Sequence, residues 1–88
     1  MTEKEERHER AEIFRRQIAF PNQRKEAIRS LVNKSQYDAA DEQRIKILFS
    51  RVSLAEGCET EYMMLIERLY KDDSLRNRAH EFYKRWHA

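Results

Sequence analysis

One glycine, Gly57, and one proline, Pro21, serve this entire 88-residue chain. Ordinary chains hold roughly 7% and 5% of these residues. Hairpins and tight turns depend on them, glycine for positive φ and proline for a preset φ, so a strand-rich fold has almost no turn material here. Helices joined by short turns are what remains, and no stretch shows the period-two alternation of a half-buried strand. The expected fold is all-α: a compact bundle of four to five short helices in one domain over residues 1–88, with residues 1–10 as a solvated helical arm.

Apolar residues make up 40% and charged residues 39%, which allows a core but a thin one. A domain of this size exposes much of its surface and is marginal alone, which favours self-association. Cys58 is the only cysteine, so no internal disulfide can form and a reducing, cytoplasmic setting is expected. The longest apolar run, Tyr62 to Ile66, is too short for a membrane span or the core of a signal peptide. Met1 to Arg10 alternates in charge and looks like neither a secretory signal nor a transit peptide.

Heptad-like apolar spacing locates the helices. The first is expected from about Thr2 to Phe20, its opening half held by the pairs Glu3–Arg7, Glu6–Arg10 and Glu12–Arg16 and its second half docked through Ala11, Phe14 and Ile18. Pro21 interrupts, and Asn22 is the expected N-cap of a second helix to about Gln36, with Ala27, Ile28, Leu31, Val32 and Ser35 inward and its basic residues largely outward. Asp38 with Asp41 suggests a capping box for a third helix that runs to Glu56 and is closed by Gly57. A fourth is expected from Glu59 to Lys71, and a fifth, beyond the cap formers Asp72, Asp73 and Ser74, to about His87.

The third segment carries two apolar stripes. Ile45, Leu48, Phe49, Val52 and Ala55 share one face, while Ile47 and Leu54 lie on nearly the opposite side. Ile13 and Phe20 repeat that reverse stripe on the first helix, at the same spacing. Two such stripes either bury one another within the monomer or form a docking surface. Ile13, Phe20, Ile47, Leu54 and Met64 are the candidate protein-interface residues. They point to a non-catalytic interaction module, regulatory or adaptor in kind, that binds another protein or itself as a homodimer.

Basic residues offer a second reading. The net charge is only +2, but Arg24, Lys25, Arg29 and Lys34 face Glu26 alone in residues 21–37, and Arg76, Arg78, Lys84 and Arg85 face Glu81 alone in residues 74–88. If the second and fifth helices are neighbours, Arg24, Lys25, Arg29, Arg76, Arg78, Lys84 and Arg85 merge into one phosphate-binding surface for nucleic acid. The aromatics nearby fit the inward stripe better than a base-stacking platform.

Catalytic and ligand constellations are weak. Cys58 starts a helix, where the dipole can favour a thiolate, but His8, His80 and His87 are all remote from it in sequence. There is no His-x-x-x-His, Cys-x-x-Cys or calcium loop, and one glycine cannot build a phosphate loop. The expectation is therefore no enzyme, no cofactor, no metal, no membrane and no small-molecule substrate.

The order Tyr37-Asp38, Asp41-Glu42, Phe49-Ser50 and Leu69-Tyr70 in a small helical chain resembles the Hha-type nucleoid modulators. That resemblance implies a protein that acts by binding a larger DNA-binding protein. It assigns no residue a role.

Overall fold

A computed structural model describes residues 2–88, all of them helix, turn or loop. Five α-helices follow in order: α1 Glu3–Gln17, α2 Pro21–Val32, α3 Ala39–Leu48, α4 Glu59–Leu69 and α5 Arg76–Trp86, with a single 3-10 turn at Val52–Ala55 between α3 and α4. The principal packing runs α2 on α4, α4 on α5, α1 on α3, and α5 on the 3-10 turn.

The first turn of α1 is closed by a capping box in which the Thr2 hydroxyl accepts from the Glu5 amide and Glu5 accepts from the Thr2 amide, both at 3.2 Å. Residues 2–10 are exposed throughout, and Ala11, Phe14 and Ile18 carry the helix into the core. Of the three expected pairs only Glu3–Arg7 forms, at 2.9 Å, while Glu12 turns to Arg15 at 3.8 Å. Such exposed pairs each add only about 0.2–0.5 kcal/mol, so packing nearby easily redirects them.

Pro21 starts α2 instead of preceding it. Phe20 is the extended N-cap and Pro21 the first helical residue, where the missing amide hydrogen is unneeded, so Asn22 does not cap. The helix also ends at Val32, short of Gln36, and Ser35 is exposed.

The third expected helix is corrected most. It ends at Leu48, not Glu56, because its last carbonyls find side-chain donors outside a continuing helix. The Ser50 hydroxyl donates to Ile47 at 2.6 Å, the Tyr62 hydroxyl to Leu48 at 2.7 Å and Arg85 to Phe49 at 2.9 Å. Val52 to Ala55 then form the 3-10 turn, and Gly57 follows at φ 79°, a left-handed position that closes this turn and not α3. The capping box at the other end of α3 is formed as expected, Asp38 accepting from the Asp41 amide at 2.8 Å and Asp41 from the Asp38 amide at 3.1 Å.

With almost no glycine, arginines close the turns. Arg24 donates to Ile18 at 2.7 Å and Ala19 at 3.4 Å at the end of α1, and to Leu54 at 2.8 Å and Glu56 at 3.4 Å around the 3-10 turn. Arg68 reaches from α4 to the carbonyls of Lys34 and Ser35 after α2, at 3.0–3.2 Å, and lies over the Tyr37 ring. Arg85 serves Phe49, and Arg76 the Tyr70 carbonyl after α4 at 3.0 Å. Each guanidinium supplies the donors that a Schellman turn would draw from the backbone beyond a left-handed glycine.

The core is centred on α4. Tyr62, Leu65, Ile66 and Leu69 are fully buried, and Tyr62 stacks on Phe82 of α5 at 5.3 Å between ring centres, with Phe49 on the same Phe82 at 4.6 Å and Trp86 edge-on to Tyr62 at 6.2 Å. Each such aromatic pair adds about 0.5–1.5 kcal/mol beyond its buried area. The expected change of phase before α5 is real: Asp72 accepts from the Ser74 amide and hydroxyl and the Leu75 amide, all within 3.1 Å, which restarts the chain in a new direction.

Candidate functional site

The two sides of α3 are both buried within the monomer. Ile45, Leu48 and Phe49 enter the core, and Ile47, 6% exposed, borders a small depression shared with Ala11 and Phe14 of α1. Ile47 is therefore core and not a docking residue. Its expected mate is also corrected, because α1 meets α3 through Ala11 and Phe14 while Ile13 and Phe20 point to solvent, 56% and 63% exposed.

Leu54, released from α3, is half-buried. Its carbonyl shares the Arg24 guanidinium with those of Ile18 and Ala19, so Leu54 lies beside the segment that exposes Ala19, Phe20 and Pro21. The structure thus brings the Leu54 carbonyl near those of Ile18 and Ala19, just before exposed Phe20, with Ile13 further back on α1. Met64 stands on the exposed side of α4 at 40%.

The seven basic candidates are not one surface. Arg24 is buried and bonded to four carbonyls and to Cys58 Sγ at 3.8 Å, so it is unable to face a phosphate. Its place on the wheel carries the signal: it precedes Ile28 by four residues and Leu31 by seven, on the inward stripe. Arg29 pairs with buried Glu61 at 3.3 Å, and Arg76 with Asp73 at 2.7 Å. Lys25, Arg78 and Lys84 make no ion pair among the described residues. The basic residues of α2 and α5 do not merge either, since both helices pack mainly on α4.

The most polar buried group is Asp41, 1% exposed. Its carboxylate accepts from Lys34 at 2.7 and 2.8 Å and from Arg44 at 3.0 Å as well as capping α3. Burial draws its pKa up, but the hydrogen bonds from Lys34 and the Asp38 amide, with the charges of Lys34 and Arg44, outweigh this and hold it below the ordinary aspartate range. These bonds leave the carboxylate committed to structure. Cys58 is likewise buried, its thiol 3.8 Å from the Pro21 carbonyl, and His8, His80 and His87 are all exposed. Among the described residues no three His, Cys, Asp or Glu side chains gather at metal-binding distance, and no helix is long and apolar enough to cross a membrane.

Two of the open surface clefts border exposed charged side chains. One of about 600 Å³ separates the exposed half of α1 from α3 and is walled by Arg7, Arg10 and Lys46 together with Glu3, Asp38 and Glu42. Its charges are mixed and carry no field of one sign. The other, about 330 Å³, runs along α5 between Ser74, Asn77, Arg78, Glu81 and Arg85, with buried Phe49 as its floor.

Comparison with protein-family models, with curated proteins and with solved structures finds no match to this chain.

Proposed function

We propose that the protein is a non-catalytic, protein-docking module with a regulatory or adaptor role, and that the α1–α2 corner is its contact surface. One observation carries this reading. Ile13 and Phe20 stand more than half exposed, whereas every other isoleucine and phenylalanine of the described residues is buried. Exposed Phe20, on a segment that Arg24 ties to half-buried Leu54 and rimmed by the charges of α1, has the anatomy of a small interface centre with a polar rim. The partner is a second copy or another protein. The unpaired Cys58 supports a reducing, cytoplasmic setting.

The test is a double substitution, Ile13→Glu with Phe20→Glu. Both side chains are exposed, so the fold should hold, and sedimentation and pull-down should show loss of the oligomer or of the bound protein. A doubly substituted chain that keeps every association of the parent would overturn the reading.

A further inference from the structure

We propose that the cleft on the flank of α5 is a seat for the phosphate backbone of a nucleic acid, with Arg78 and Arg85 as its cations and Asn77 as a neutral donor. The inference is independent of the Ile13–Phe20 corner.

Arg85 is fixed in place. Its Nη2 donates to the Phe49 carbonyl at 2.9 Å and its guanidinium lies 5.9 Å from the Phe82 ring centre, which leaves its other N–H groups without a protein partner among the described residues. A guanidinium held by the fold loses little freedom when it meets an anion. Arg78, exposed and in no ion pair, stands two helical turns earlier on the same flank, about 10 Å along the axis. That separation is too wide for one phosphate between the two helix positions and suits the repeated phosphates of a chain.

The balance of charge points the same way. Glu81 is the one acid of the cleft and lies within one turn of Arg78, Lys84 and Arg85, yet it pairs with none of them. Three cations thus surround a single carboxylate, and Lys84 and Asn77 extend the donor surface around the exposed side of the helix. Arg24, Arg29 and Arg76 are tied up elsewhere, so α5 holds the largest group of uncommitted cations outside the mixed-charge arm. Contacts of this kind recognise backbone and not sequence.

Fluorescence anisotropy of the full chain with a short labelled DNA duplex tests this. Arg78→Gln should weaken binding about two- to fivefold and lower the slope of log affinity against log salt by about 0.9. Glu81→Gln should tighten it by a similar factor. Both residues are exposed and unpaired, so circular dichroism should show an unchanged fold. The double variant Arg7→Gln with Arg10→Gln removes two charges from the arm and should leave affinity within twofold. Four results would overturn the proposal: no binding at low salt, an equal loss from the arm variant, displacement of the duplex by inorganic phosphate at matched phosphate concentration, or binding to phosphatidylserine vesicles with the duplex ignored.

Discussion

Arg24 Nη1 donates to the carbonyl of Leu54 at 2.8 Å, which ties the first turn of α2 to the 3-10 turn thirty residues further along the chain. The same side chain holds the end of α1 through Ile18, so one buried guanidinium joins three segments that share no helix.

Arg24→Met should therefore destabilise the protein by about 2–3 kcal/mol, since it strands the buried Ile18 carbonyl and removes the bonds to three part-buried ones. Arg24→Lys should recover only part of this, because an ammonium cannot fork between the two turns. Urea denaturation of the three proteins measures the difference. Equal midpoints for parent and Met variant would show that the contacts add nothing net.

Asp41 sets the acid limit. A carboxylate whose folded pKa is depressed stabilises fully above its unfolded pKa, and that contribution disappears as pH falls from the ordinary carboxylate range through the lower folded value. Asp72 acts in the same direction, its pKa lowered chiefly by the Ser74 hydroxyl. Asp41→Asn should lose about 1.5–3 kcal/mol at neutral pH through its charged bonds to Lys34 and Arg44, and should show a flatter decline of melting temperature with acid. An unchanged acid slope in the Asn protein would assign the decline to other groups.

Tyr62 sets the alkaline limit. Burial pushes its phenol well above the ordinary value, and Tyr37 is raised as well, again by burial first. A raised folded pKa means stability that is complete below about pH 10 and is lost as pH rises beyond it. Ultraviolet titration of the native chain should show Tyr62 silent until unfolding begins. Tyr62→Phe should remove that late step and cost about 0.5–1.5 kcal/mol through the lost bond to Leu48.

Two isoleucines on neighbouring helices separate core from surface. Ile47→Glu should unfold the domain or cost more than about 3 kcal/mol, since it places an unpaired charge between α1 and α3. Ile13→Glu should change stability by no more than about 0.5 kcal/mol. Thermal melts decide it, and similar losses from both would contradict the placement of α1.

Much of the helix pattern was legible from spacing and caps: the Thr2 to Arg10 segment as an unsupported helix, the Asp38–Asp41 box, and the break at Asp72 to Ser74. Three buried charges were legible only as an inconsistency. Arg24, Asp41 and Glu61 each precede a buried aliphatic, Ile28, Ile45 and Leu65, by four residues, which places a charge at the head of an inward stripe. Periodicity shows that such a residue faces inward but not what it bonds to, because its partners are set by other segments.

For the same reason Ile47 and Leu54 read as one stripe only on a helix that continues past Leu48, where α3 ends. Local sequence alone determined that this chain is helical, where most helices begin, and that glycine was unavailable to close its turns. Tertiary structure decided where α3 stops, that its second apolar side is covered by α1, and that Ile13 and Phe20 are left outside. The physical reason is that a helix end is stable wherever its last carbonyls find donors, and a helix face is buried only where another element packs on it; here the donors Tyr62, Arg85, Arg24 and Arg68, and the cover of Ile47 by α1, come from distant parts of the chain.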